Sequence, residues 1–273
     1  MVSQARAAIT VFQDDFEAQT IGDTVGPPQI GTWSEGPGSG THGADIVGSP
    51  ALGTKSVRIA RETAPPLGPG ANGDLRGTTL PGAILNGNTV EFKISSNLEA
   101  ANRFNNPLQI AIGQVGSNFN NDFTFLQIGD VNNGVYGYYT GPGQFGTLNN
   151  TALQPSLNTP GSNEGKWDTL RAVLHFANLN ATQMTGTMDL FISLNGAPEV
   201  QVATGALLQT TTNPGINTGA LQLRIVKGPF TGLDFYDNVS VTAAFVPEPS
   251  TMSVAGLAGY GLLALRRRSA AKR

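Results

Sequence analysis

Apolar and polar residues alternate in short runs along most of this chain. In Val90-Glu91-Phe92-Lys93-Ile94 apolar and charged side chains take strict turns. Leu108, Ile110 and Ile112 keep that spacing, and so do Leu170, Ala172, Leu174 and Phe176. Met188, Leu190, Ile192 and Leu194 repeat it, followed by Leu221, Leu223 and Ile225, and then by Leu233, Phe235, Val239 and Val241 around Asp237. Phe123, Phe125, Leu126 and Ile128 form a more continuous apolar run, and Val135-Tyr136-Gly137-Tyr138-Tyr139 another. A period of two puts successive side chains on opposite faces of a strand, so each run predicts a strand with one face buried. Asn195-Gly196 lies between two such runs and predicts a hairpin, with Asn86-Gly87 and Asn133-Gly134 as similar turns. Segments 36–44, 63–74 and 140–165 are rich in Gly, Pro and Asn and read as loops. Roughly a dozen strands without a long linker predict an all-β fold, a two-layer antiparallel jelly-roll sandwich over residues 8–245.

Composition narrows this picture. Charged residues make up 13% of the chain, with 35 Gly and 17 Pro, which works against long helices. Apolar residues still reach 39%, enough to bury a core. There is no cysteine, which excludes disulfides, thiolate metal sites and a thiol nucleophile. The net charge of −3 is unevenly divided. From Val246 onward Arg266, Arg267, Arg268, Lys272 and Arg273 face only Glu248, leaving residues 1–245 at −7. A body this acidic is a poor nucleic-acid partner, since phosphate binding needs clustered Lys and Arg.

The end of the chain breaks the pattern. From Thr251 to Leu265 no residue is charged, and Arg266-Arg267-Arg268 follows directly. As a helix this stretch spans about 22 Å against a hydrocarbon core of ~30 Å, with snorkelling arginines to extend its reach. It predicts a single C-terminal hydrophobic helix that crosses a membrane and keeps its arginines cytoplasmic. The order Val246-Pro247-Glu248-Pro249, apolar span, Arg266-Arg267-Arg268 resembles the PEP-CTERM sorting signal, here residues 246–273. That resemblance implies export to the cell surface or extracellular matrix, transient inner-membrane anchoring, and an exosortase as the processing partner. The prolines hold an extended segment that such an enzyme can reach. At the other end, Ala5-Arg6-Ala7 fits the small-x-small pattern before a signal-peptidase cut, so residues 1–7 read as a signal-peptide remnant.

Phe12-Gln13-Asp14-Asp15-Phe16-Glu17 and Leu233-Asp234-Phe235-Tyr236-Asp237-Asn238-Val239-Ser240-Val241 resemble the first and last strands of concanavalin-A-like or laminin-G-like sandwiches. Trp167-Asp168-Thr169-Leu170-Arg171 and Phe191-Ile192-Ser193-Leu194-Asn195-Gly196 resemble their central strands and hairpin. If the terminal strands pair, Asp14, Asp15, Glu17, Asp234 and Asp237 converge as hard oxygen ligands. Sandwiches of this resemblance often carry a structural calcium; the alternative is acids that keep strand edges from aggregating. The polar face of the strand from Trp167 presents Trp167, Thr169, Arg171, Val173 and His175, and its neighbour matches it with Asp189 and Phe191. Aromatic and polar groups side by side on a sheet are what a glycan platform uses. Tyr136, Tyr138 and Tyr139 form a further patch.

Signatures of chemistry are scarce. His42 and His175 are the only histidines, and no Gly-x-Ser-x-Gly elbow is present. The Glu-x-Asp-x-x-Glu string of laminarinase-like sandwiches is missing, as are metal-ligand spacings and phosphate loops. The expectation is an exported glycan-binding or adhesive sandwich without turnover, with extracellular polysaccharide as partner. A matrix protein lacking a specific ligand and a carbohydrate-active hydrolase or lyase stay open as alternatives.

Overall fold

The computed structural model describes residues 8–22, 29–30, 33–35, 44–61, 73–81, 89–98, 108–114, 123–128, 136–141, 144–147, 165–179, 184–210, 220–227 and 232–244. Every regular element among them is a strand: β1 (Ala8–Asp14), β2 (Trp33–Glu35), β3 (Ala44–Val47), β4 (Ser56–Arg61), β5 (Gly73–Pro81), β6 (Thr89–Leu98), β7 (Leu108–Gln114), β8 (Phe123–Ile128), β9 (Tyr136–Gly141), β10 (Gln144–Thr147), β11 (Trp167–Leu179), β12 (Met184–Leu194), β13 (Val200–Thr210), β14 (Ala220–Lys227) and β15 (Gly232–Ala244). The described residues form an all-β antiparallel jelly-roll sandwich, as the alternation predicts. Residues 246–273, with the expected helix, the Val246-Pro247-Glu248-Pro249 motif and Arg266–Arg268, lie outside the described residues. So do residues 1–7 and His42. Among the described residues no helix is long and apolar enough to cross a membrane.

One sheet, here sheet A, has the order β13-β12-β11-β6-β15-β4-β3, with β1 as its eighth strand. The other, sheet B, has the order β10-β9-β8-β7-β14-β5-β2. The terminal strands do pair: β1 runs antiparallel to β15 from Ala8 opposite Ala244 to Asp14 opposite Val239. On the same edge of β15, β4 takes Gly232 to Tyr236. This shared edge ties the two ends of the domain into the middle of sheet A.

The inner face of sheet A carries the residues that the alternation marks. Val90, Phe92 and Ile94 on β6, Leu170, Ala172 and Leu174 on β11, and Met188, Leu190 and Ile192 on β12 are buried together. Val239, Val241 and Ala243 of β15 join them, with Ile225 of β14 from the opposing sheet. Each such Leu or Ile removed from water contributes roughly 1.5–3 kcal/mol. At the β1 end, Phe12 meets the edge of Trp33 at 4.5 Å between ring centroids, and Phe16 stacks on Trp33 at 6.1 Å.

Two local features decide where the outer face is shaped. Asn195 and Gly196 take φ of 50° and 75°, the left-handed pair a tight hairpin between β12 and its neighbour needs. In β15 the ladder with β6 slips between Asp237 and Ser240, and Asn238 sits at that bulge with φ of 50°. Asparagine tolerates this region better than other non-glycine residues, and a bulge re-aims the side chains around it.

Candidate functional site

Alternate residues of the central strands turn away from the core and line the outer face of sheet A. Register places Phe191, Arg171, Lys93 and Ser240 in one row across β12, β11, β6 and β15. Asp189, Val173, Glu91 and Thr242 form the next row, and Thr187, His175 and Thr89 the one beyond. In the other direction Ser193, Thr169 and Ser95 lie abreast, with Trp167 two residues from Thr169 on the same face. The glycan-platform residues Trp167, Arg171, His175, Asp189 and Phe191 are therefore on one surface.

They are partly occupied with one another. The Arg171 guanidinium lies over the Phe191 ring, 3.8 Å from its centroid. Its Nε donates to Glu199 Oε2 at 3.0 Å and its Nη1 to Glu91 Oε2 at 3.2 Å. Hydrogen bonding to Glu199 holds the Arg171 pKa above its ordinary value, and the same contact holds the Glu199 carboxyl below the usual range. One face of Phe191 is thus taken by Arg171. His175 Nε2 stands 3.2 Å from Asp189 Oδ2, and His175 Nδ1 3.2 Å from Thr89 Oγ1. A carboxylate only accepts, so Nε2 carries the hydrogen in that contact and Nδ1 of the neutral ring accepts from Thr89. Asp189 is fixed in turn, because its Oδ1 accepts from Gly205 N at 2.8 Å. Gly186 lets β12 come close here: a Cβ on it would fall 2.1 Å from the His175 carbonyl oxygen.

The acids considered for calcium, Asp234 apart, accept hydrogen bonds from the chain around them. Asp14 is buried and accepts from Phe16 N at 2.8 Å, Gln19 Nε2 at 2.6 Å and Trp33 Nε1 at 2.6 Å. Burial pushes its carboxyl up to about 6 against these donors. Asp15 accepts from Glu17 N and from the Gln29 amide. Glu17 accepts from Thr54 N at 2.7 Å, Lys55 N at 3.1 Å and the Thr54 hydroxyl, bonds that lower its pKa. Asp237 is buried, accepts from Leu52 N at 3.0 Å and Asn238 N at 2.7 Å, and is also pushed up to about 6 by burial. Asp234 sits in the β15 ladder opposite Leu98 and Ile59, its side chain outside the description. Among the described residues no group of three or more His, Asp or Glu is gathered to hold a metal ion. Glu17 and Asp237 clamp the loop before β4 onto sheet A. Gly53 belongs to this clamp, since a Cβ there would stand 2.2 Å from Glu17 Oε1.

That loop forms one wall of an open cleft of about 410 Å³ on the outer face. Lys93 and Ser95 of β6, Thr169 of β11, Asn238 and Ser240 of β15 and Gln13 of β1 line it, with Leu52 and Asp15 at the wall. The volume falls within the range of small-ligand sites, about 300–1,000 Å³. Ser95 Oγ and Thr169 Oγ1 are 2.8 Å apart, so one donates to the other and one hydroxyl hydrogen stays available. Sequence reasoning reached Thr169 but missed Gln13, Lys93, Ser95, Asn238 and Ser240. The alternation in β6 shows that Lys93 and Ser95 face outward, yet only register brings β1, β6, β11 and β15 side by side. The Tyr136, Tyr138 and Tyr139 patch falls on β9, whose side chains are outside the description.

No family model matches the chain, and no curated protein matches it in sequence. Solved structures similar to it include an alginate lyase from Aplysia kurodai, at 10% identity, covering 76% of this chain and 88% of that one, with a TM-score of 0.45. A carbohydrate esterase from the Shiga toxin-encoding bacteriophage phi24B is 16% identical, over 88% of this chain and 100% of its own, with a TM-score of 0.49. A β-glucanase catalytic domain from Podospora anserina is 13% identical, over 85% and 95%, with a TM-score of 0.45. These likenesses correct the expectation of a body without turnover. The motifs missing from the sequence belong to particular families, so their lack does not exclude catalysis.

Proposed function

We propose that this is an exported, carbohydrate-directed β-sandwich that holds an extracellular polysaccharide against the outer face of sheet A. The observation that carries the reading is the open cleft lined by hydroxyl, amide and ammonium groups, with Trp167 two residues along β11 from its Thr169 and on the same face. A sugar offers hydroxyls that donate and accept together with an apolar ring face. A polar floor next to an aromatic side chain answers both. Export is supported by the closing segment, whose Val246-Pro247-Glu248-Pro249, apolar span and Arg266-Arg267-Arg268 resemble a sorting signal that an exosortase reads.

A second reading, that the same face cleaves the chain it holds, is favoured by the His175–Asp189 pair. An imidazole oriented by a fixed carboxylate at a surface reached by solvent is the arrangement that acid–base catalysis uses. Incubating the protein with a panel of immobilised polysaccharides tests both readings. Retention on at least one polymer supports the first. Release of reducing ends or of an ultraviolet-absorbing unsaturated product, abolished in His175→Ala, supports the second. Retention on none sinks the proposal.

A further inference from the structure

The groups around the cleft say more about the sugar than that it is one. Among the described residues that line the cleft are two carboxylates, Asp14 and Asp15, and one cation, Lys93. Arg171 is closed off, held between Glu91 and Glu199 with its plane on Phe191. Among the described residues, Lys93 is left as the cation of the cleft lining. It shares that space with Asp15, and its field already acts on Glu199. A carboxylated or sulfated sugar seated on Lys93 would meet Asp15 in the same cleft, and like charges brought together inside an interface count against binding.

The remaining lining is neutral and two-sided in its hydrogen bonding. Ser95, Thr169 and Ser240 supply hydroxyls, while Gln13 and Asn238 each offer an amide oxygen and an amide nitrogen. The bulge at Asn238 turns that part of β15 into the cleft wall, so these groups approach from β1 and β15 on one side and from β6 and β11 on the other. Trp167 lies about 7 Å along the strand from Thr169 and offers an apolar surface for the ring face of a pyranose.

From this charge balance and lining we infer that the cleft takes an uncharged polysaccharide, a chain of neutral pyranoses, in preference to a polyuronate or a sulfated polymer. The inference rests on the glycan reading above and adds the substrate class. Lys93 then donates to hydroxyl or ring oxygens, and binding is carried by hydrogen bonds and ring contact.

The test is the affinity of the full chain for uncharged polymers (a β-glucan, a xylan, a galactomannan) and for polygalacturonate and a sulfated galactan, at ~20 and ~300 mM salt. Screening at the higher salt suppresses charge-driven binding and leaves neutral contacts nearly untouched. The expected result is tighter binding of at least one uncharged polymer, with a Kd that changes less than about twofold with salt. Thr169→Val, which keeps shape and removes the hydroxyl, is expected to weaken that binding about fivefold with an unchanged unfolding midpoint. If that variant fails to fold, Ser240→Ala reads the same cleft. Equal or tighter binding of polygalacturonate or the sulfated galactan, or a Kd that climbs steeply with salt, overturns the inference and leaves the glycan reading standing. Binding to none of these polymers overturns both.

Discussion

Asp14 and Asp237 show how single residues set the conditions under which this surface keeps its shape. Both are buried, and both carboxyls are pushed up to about 6 from an ordinary value of 3.8. Between about pH 4 and pH 6 the folded protein holds protons that the unfolded chain has released. These groups therefore favour the fold most below that window, and their contribution declines as pH rises through it. Glu17 and Glu199, held low by hydrogen bonds, act with the opposite sign, and their contribution is lost as pH falls below the usual glutamate range. Asp237→Asn is expected to flatten the fall in urea midpoint between pH 4 and pH 6; an unchanged slope would show that Asp237 carries none of it. Gly186 makes a steric prediction. Gly186→Ala forces a Cβ against the His175 carbonyl and is expected to cost roughly 1–3 kcal/mol in urea unfolding. The sequence names Asp14, Glu17 and Asp237 as a set, but their donors, Trp33 Nε1 and the backbone of residues 52–55, become visible only once the chain is folded.

The hairpin after β12 depends on its turn. Asn195 N donates to Asp168 Oδ1 at 3.0 Å, anchoring the turn to buried Asp168 on β11. Gly196→Ala places a Cβ at φ of 75° and is expected to lose about 1–2 kcal/mol, read as a lower thermal midpoint. Strands with strict alternation, such as β6, β11 and β12, could be read directly, because one buried face leaves a periodic record. β3, β4 and β10 left a weaker record. β10, Gln144–Thr147, falls inside the 140–165 segment read as a loop, since Gly and Asn around it mask a short strand. The order of strands left no local record at all. That β6 lies between β11 and β15 follows from long-range packing, and it is this adjacency that assembles the cleft.

Across the whole molecule, one sheet face gathers polar groups from strands that lie far apart in the chain, β1 and β15 among them. The closing segment adds a claim about location. If it is a sorting signal, mass spectrometry of protein recovered from the extracellular layer is expected to show a C-terminus that ends before Arg266. Recovery there of chains retaining Arg266–Arg268 would contradict processing. The claim on which the functional account depends is that polysaccharide binds the outer face of sheet A. It is tested most directly by comparing the affinity of the unmodified chain and of Trp167→Ala for a polymer that the chain retains. The account predicts about a tenfold or larger loss, equivalent to roughly 1.4 kcal/mol, with the thermal midpoint preserved. An affinity unchanged by that substitution and by Thr169→Val would place the bound sugar somewhere else and contradict it.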